Sequence, residues 1–320
     1  MTTPAEAVDR PGEPAAKPDQ PAAPSLVTGL VRVARPRQWT KNLLVLVAPG
    51  AAGVLLHWTV LWHAVAAAGI FCVAASGTYF FNDAIDAEAD GHHPTKRLRP
   101  VAVGLVPVPM ALSIGLAMMA VAVALAGLLA GWHLALVMAI YALVNVSYSL
   151  GVRNEPILDL AAVSAGFVLR AVAGGVATGI PLTNWFLIVA SFGSLLIVTG
   201  KRSGEKQMLM DHRVDNGATR QTLGLYTPTF LRSVRTLSAA VSVTAYCLWA
   251  FDRAAQLHPG HDPIWFQLTV VPFTIALLHV VRLLDSGEGA APEEMALRDH
   301  RLQAYGLVWV ALFAAGVYVT

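Results

Sequence analysis

A chain of 320 residues with 56% hydrophobic and only 13% charged residues, at a mean hydropathy of +0.58, is too apolar for a water-soluble globule. The formal net charge of +2 carries little information, since the location of charge matters more in a membrane than its sum, and no nucleic-acid partner is expected. Cys72 and Cys247 both fall in apolar runs, which excludes a disulfide framework and a cysteine metal site.

The first 25 residues are rich in Pro and Ala and lack the apolar core of a signal peptide, so a disordered cytoplasmic tail is expected. Apolar stretches of membrane length follow. They predict an all-α polytopic bundle of about nine spans, near 42–60, 62–81, 104–128, 132–150, 157–178, 184–200, 234–252, 264–282 and 302–320. Pro49, Gly50 and Gly53 interrupt the first. With the N-terminus in the cytoplasm, the inside segments are 1–41, 82–103, 151–156, 201–233 and 283–301. These hold all of the 22 Lys and Arg residues except Arg170, Arg235, Arg253 and Arg282, which is the asymmetry the positive-inside rule demands. Arg235 and Arg282 sit at inner helix ends and snorkel inward. Arg253 is the only basic residue of an outside loop, and the C-terminus lies outside.

The polar chemistry therefore faces the cytoplasm. The first inside segment ends in RPRQWTKN, Arg35 to Asn42. Its basic residues and Trp39 suit a headgroup anchor; equally, Arg35, Arg37 and Lys41 suit a phosphate. Lys41 and Asn42 open the span and are expected to face the bundle.

The second segment is the most specific. In NDAIDAEAD, Asp83, Asp86 and Asp90 are spaced i, i+3, i+7 and share one helix face. Three like charges there call for a cation, and hard oxygen donors favour Mg²⁺, which usually brings phosphate. KRLR follows, placing Lys96 and Arg99 where anions would bind. Asn82 is a candidate for orienting a carboxylate or a hydroxyl. Glu88 is off the shared face and solvated, and His92 and His93 read as polar loop residues.

In the third segment, YSLGVRNEPILD, Asp159 lies eleven residues before Arg170, so the two share a face with Val163 and Gly166. Arg170 is the only basic residue deep in a span, and such a charge needs a carboxylate partner or a polar cavity. Both readings stay open. Gly174, Gly175 and Gly179 permit close helix packing. The fourth segment opens with GKRSGEKQ, where Lys201 and Arg202 are candidates for a second phosphate. The remainder, to about Thr229, is expected to cover the site as a hairpin or short helix. The last, PEEMALRDHRLQ from Pro292, reads as an interfacial helix start with Glu293 and Glu294 complementing the dipole, and carries no chemistry.

Four of these segments, RPRQWTKN, YFFNDAIDAEADGHHPTKRLRPVAVG, YSLGVRNEPILDLAAVSAGFVLRAVAGGVATGIPL and GKRSGEKQ, resemble the UbiA superfamily of intramembrane prenyltransferases. Within it they are most similar to the actinobacterial branch that acts on decaprenyl phosphate, over roughly residues 30–320. The resemblance implies a UbiA-like transmembrane catalytic domain over 26–320. It implies a Mg²⁺-dependent transferase in the plasma membrane that moves 5-phosphoribose from phosphoribosyl pyrophosphate (PRPP) to a polyprenyl phosphate and releases pyrophosphate. The product would serve decaprenyl-linked arabinose for cell-wall arabinogalactan. Asp83, Asp86 and Asp90 would hold the metal. Lys41, Asn82, Lys96, Arg99, Tyr148, Arg153, Asp159, Arg170, Lys201 and Arg202 form the candidate substrate-binding set. The superfamily's second acidic motif often has two Asp residues, whereas here Asp159 stands with Arg153 and Glu155; fewer acids suit a lipid monophosphate. Two rival readings remain. One is an aromatic prenyltransferase of the same fold with a prenyl pyrophosphate donor. The other is a transporter of a phosphorylated solute, against which the carboxylates' place at the rim counts. Small-residue faces would allow a homo-oligomer.

Overall fold

The structure, a computed structural model, describes residues 25–93, 95–212, 221–256, 262–286, 295 and 298–318; the expected tail and the helix start at Pro292 fall outside them. Among the described residues every regular element is helical. Helix α1 (Leu26–Ala34) is capped by Ser25, whose hydroxyl accepts from the Thr28 amide. It packs Val33 against Phe80, Val101 and Val106 and leaves Leu26, Val27 and Val31 exposed, as suits a helix lying at the membrane surface.

The first crossing differs from expectation. The run 42–60 is not one helix: a 3₁₀ helix, Pro36–Leu46, passes into a short α2 (Val47–Ala51), and α3 starts already at Trp58. A 3₁₀ helix rises about 2.0 Å per residue against about 1.5 Å for an α-helix, so this short run reaches about 30 Å, the thickness of the hydrocarbon core. Its side chains track antiparallel down α3 (Trp58–Ile85): Arg35 meets Asp83, Trp39 meets Ser76 and Asn42 meets Cys72. The crossing lies so close to α6 that a Cβ on Gly174 would collide with the Val45 carbonyl oxygen. Small residues do set helix approach here, as anticipated.

The remaining spans fall on helices. After α4 (Ala87–Gly91), α5 (Val108–Leu150) is a 43-residue run bent at Ala130 and at Gly131, whose φ of 72° favours glycine. At about 65 Å it is twice the membrane thickness, and the bend folds it into two antiparallel crossings. Helices α6 (Pro156–Thr178), α7 (Asn184–His212), α8 (Gln221–Leu225), α9 (Pro228–Ala255), α10 (Ile264–Leu268), α11 (Val270–Asp285) and α12 (His300–Tyr318) complete the bundle. Helix α7 runs twelve residues past its expected end at Gly200, so Lys201 and Arg202 stand on a rigid helix rather than a loop. A Cβ on Gly53, in the loop after α2, would touch Val317, which puts the end of α12 at the face opposite Asp83.

Two of the buried apolar clusters hold the long helices together. Val45, Phe71, Ala74, Met138, Tyr141 and Ala173 join the first crossing to α3, α5 and α6. Leu196, Val280, Leu283 and Leu284 join α7 to α11, with Ala239 of α9 and Leu302 of α12 packed against them.

Candidate active site

The acidic motif does not sit on one unbroken helix. Helix α3 ends at Ile85; Asp86, at φ −91° and ψ 0°, breaks the run, and α4 carries Asp90. Hydrogen bonds from the Asp86 amide to Asn82 O (2.9 Å) and from the Asp90 amide to Asp86 O (2.8 Å) keep the turn tight, so the three carboxylates still gather at one face. Asp83 and Asp90 are buried at 2% and 4% exposure.

Three arginines lie against these carboxylates. Arg35 Nη2 lies 2.6 Å from Asp83 Oδ1. Arg99 Nη1 bridges two carboxylates, 3.1 Å from Asp83 Oδ1 and 2.6 Å from Asp90 Oδ2. Arg153 takes Asp86 through two contacts, Nη2 to Oδ1 at 2.6 Å and Nη1 to Oδ2 at 2.8 Å. That fork fits the carboxylate geometry and raises the Arg153 pKa, chiefly through its hydrogen bond to Asp86. Asn82 donates to Asp86 Oδ2 at 3.1 Å and accepts from Ser149 Oγ at 3.2 Å, so it orients a carboxylate. Arg35 is held for its role by an unusual backbone: at φ 52° and ψ 60° it is the one described non-glycine residue in the left-handed region, and its guanidinium lies 4.7 Å from the centre of the Tyr79 ring.

As they stand, no three His, Cys, Asp or Glu side chains among the described residues converge on one metal position. The donor set nonetheless fits Mg²⁺: it consists of carboxylate and amide oxygens. A cationic nitrogen of Arg99 already stands between Asp83 and Asp90.

A second polar cluster adjoins the first. Asp159 accepts hydrogen bonds from Arg202 Nε at 2.7 Å and Tyr226 OH at 2.8 Å on Oδ2, and from Arg202 Nη2 at 2.7 Å and Tyr148 OH at 2.9 Å on Oδ1. Arg202 Nη1 goes to Glu205 at 2.7 Å. Burial, and then the bond to the Asp159 carboxylate, push the Tyr226 phenol well above its usual range. Lys206 donates to the Tyr226 carbonyl, and Thr222 donates to the Arg153 carbonyl at 2.6 Å. The cluster thus clamps α7 and the α8–α9 junction onto the 151–156 turn that presents Arg153.

Several expectations fare differently in three dimensions. Arg202, Asp159 and Tyr148 are brought together and bond one another. Arg170 does not meet Asp159. It lies about 16 Å further along α6, with Nε on Asn42 Oδ1 (2.8 Å), Nη1 on Gly166 O (2.7 Å) and Nη2 on Tyr141 OH (2.9 Å). These partners are neutral and tie the first crossing, α5 and α6 together, and among the described residues no carboxylate pairs with Arg170. Asn42 faces the bundle as expected; Lys41, Lys96 and Lys201 are half-buried. Glu88 is exposed, and His92 and His93 bond the local turn rather than the carboxylates. Tyr226, Glu205 and Ser149 escaped sequence reasoning. The only signal for Tyr226 was its place just before the Thr227–Pro228 helix start.

Comparison with known proteins gives a consistent result. The profile of the UbiA prenyltransferase family matches residues 43–317. A decaprenyl-phosphate phosphoribosyltransferase of Corynebacterium glutamicum is 44% identical over 299 residues, covering 92% of this chain and 88% of its own. One of Mycolicibacterium smegmatis is 44% identical over 306 residues, covering 92% and 94%. Among solved structures, a UbiA homologue of Archaeoglobus fulgidus bound to DMAPP and Mg²⁺ superposes with a TM-score of 0.66 at 16% identity, over 91% of this chain and 100% of its own. At that identity the likeness is one of fold.

Proposed function

The chain belongs to the UbiA prenyltransferase family, and from that footing we propose that it transfers 5-phosphoribose from PRPP to a polyprenyl phosphate, decaprenyl phosphate in its relatives' names, with release of pyrophosphate. The product would feed decaprenyl-phosphoryl arabinose synthesis for the cell-wall arabinan. The observation that carries the reading is near full-length likeness to phosphoribosyltransferases in a chain whose buried carboxylates gather with arginines at one end of the bundle.

In this reading Asp83, Asp86 and Asp90 hold Mg²⁺, which supplies charge neutralisation for the departing pyrophosphate. That an A. fulgidus homologue of the same fold is solved with Mg²⁺ bound supports the use of a divalent metal. Arg35, Arg99 and Arg153 stand beside these carboxylates and offer planar forks suited to diphosphate oxygens. Asn82, fixed by Ser149, keeps Asp86 in register. Lys41, Lys96 and Lys201 are further candidate cations for the 5-phosphate and the lipid phosphate.

A phosphate oxygen of the lipid attacks C1 of the ribose as the C1–O bond to pyrophosphate breaks, the bonding pair leaving with pyrophosphate and C1 inverting. A phosphate monoester is already anionic near neutral pH, so no proton need be abstracted. The carboxylate end is assigned to the cytoplasm: among the described residues, Arg253 is the only Lys or Arg at the far end of the bundle.

The test is incubation of purified protein with radiolabelled PRPP, polyprenyl phosphate and Mg²⁺, followed by organic extraction. Label in the lipid phase that disappears with a chelator is the expected outcome. A preparation that leaves the lipid unlabelled, yet prenylates an aromatic acceptor from a prenyl pyrophosphate, would overturn the reaction and retain the family.

A further inference from the structure

A cavity of about 820 Å³ opens at the end of the bundle opposite the carboxylates, between the end of the first crossing, the 179–183 turn, the start of α7 and the end of α9. Leu182 and Ile188 give it apolar wall, Trp185 and Trp249 give the amphipathic rings found at headgroup depth, and Asp252 and Arg253 supply charge.

Arg253 is anomalous there. It is the only described Lys or Arg at this end of the bundle. Part of its placement has an ordinary cause, since a cation in the last turn of α9 complements the helix dipole. The dipole does not explain the side chain, however. Its Nε is buried and has no hydrogen-bond acceptor, and the guanidinium carbon lies 5.8 Å from the centre of the Phe266 ring, folded against protein rather than extended into water. A buried donor on a charged group left without an acceptor is strongly unfavourable. Asp252 does not serve it: its Oδ2 accepts from Trp185 Nε1 at 2.5 Å, and no described carboxylate pairs with Arg253. The site therefore lacks an anionic oxygen acceptor, beside a surface suited to hydrocarbon.

We propose that this cavity binds an anionic phospholipid from the leaflet opposite the catalytic carboxylates, its phosphate on Arg253 and its upper acyl chain along Leu182 and Ile188 between the two tryptophans. The polyprenyl phosphate substrate is a poor occupant. Its phosphate must reach C1 of the ribose at the other face, and α6 alone separates the two ends by about 30 Å.

The test uses full-length protein, delipidated in detergent and titrated with phosphatidylglycerol, phosphatidylcholine or polyprenyl phosphate, with bound lipid read by native mass spectrometry. Wild type is expected to retain one phosphatidylglycerol about tenfold more tightly than phosphatidylcholine, the scale of one charge-assisted hydrogen bond. Arg253→Gln loses that preference while keeping lipid-labelling activity in detergent. Ala52→Trp, which fills the cavity with Arg253 intact, loses the bound lipid. Equal retention of phosphatidylglycerol by wild type and Arg253→Gln would overturn the proposal. So would phosphatidylcholine held as tightly, or polyprenyl phosphate preferred at Arg253. Because the readout is lipid retention, it stands or falls separately from the transfer reaction.

Discussion

Asp86 and Arg153 meet through two parallel contacts, 67 residues apart in the chain, and this pair sets what a substitution does at the site. Asp86→Ala should reduce lipid labelling by more than about 100-fold, beyond the range seen for outer-shell groups at metal sites, while the purified protein keeps its thermal transition. His92→Ala should stay near wild-type activity, because His92 bonds only the Glu88 carbonyl; an inactive variant would show that this histidine reaches the reaction. Arg99 competes with any cation for Asp83 and Asp90. Arg99→Gln should accordingly tighten Mn²⁺ binding measured by electron paramagnetic resonance without substrate, and weaken PRPP binding. Unchanged Mn²⁺ affinity would mean that the guanidinium and the metal do not share those oxygens. Arg202 is a different case. Buried against Asp159, it acts as a structural ion pair, so Arg202→Ala should lower stability by about 3–5 kcal/mol through the carboxylate it strands. A variant with normal unfolding but a raised KM would instead restore Arg202 to phosphate binding.

At the level of elements, the approach of the first crossing to α6 is decisive. The Val45 carbonyl occupies the space that a Gly174 side chain would need, so Gly174→Ala must push the 3₁₀ segment outward. Overpacking of this kind costs about 1–3 kcal/mol. The displaced segment carries Asn42, the partner of Arg170, and follows Arg35, the partner of Asp83. A lower thermal transition together with reduced turnover is expected. Loss of neither would show that the crossing has room to shift.

At the level of the whole molecule, six helices among the described residues are long and apolar enough to cross a membrane, and the bundle they form puts the carboxylates at one face and the end of α12 at the other. Single cysteines in a Cys72→Ala, Cys247→Ala background test the orientation. A cysteine at exposed Leu98 should react with an impermeant maleimide only after cells are opened, and one at exposed Leu56 should react in intact cells. The reverse pattern would invert the topology and move the reaction to the outer face.

The sequence by itself determined the all-helical membrane class, the approximate place of the long apolar helices, the end bearing most of the charge and the acidic motif as the centre of interest. These are one-dimensional properties: a hydrocarbon core needs a minimum length of apolar chain, and basic residues sort to one side of it. Even there, six helices among the described residues are long and apolar enough to cross, against nine expected spans. The first crossing was misjudged, since apolar length converts to membrane thickness only once the helix type is known. Only the tertiary structure decided which acid meets which base. Arg35 with Asp83, Arg153 with Asp86, and Arg202 and Tyr226 with Asp159 are 43 to 67 residues apart. Sharing a helix face, as Asp159 and Arg170 do, is no guarantee of contact across three turns. A hydrogen bond acts over about 3 Å, so such partners are chosen by how the helices pack, and no spacing within one segment records that.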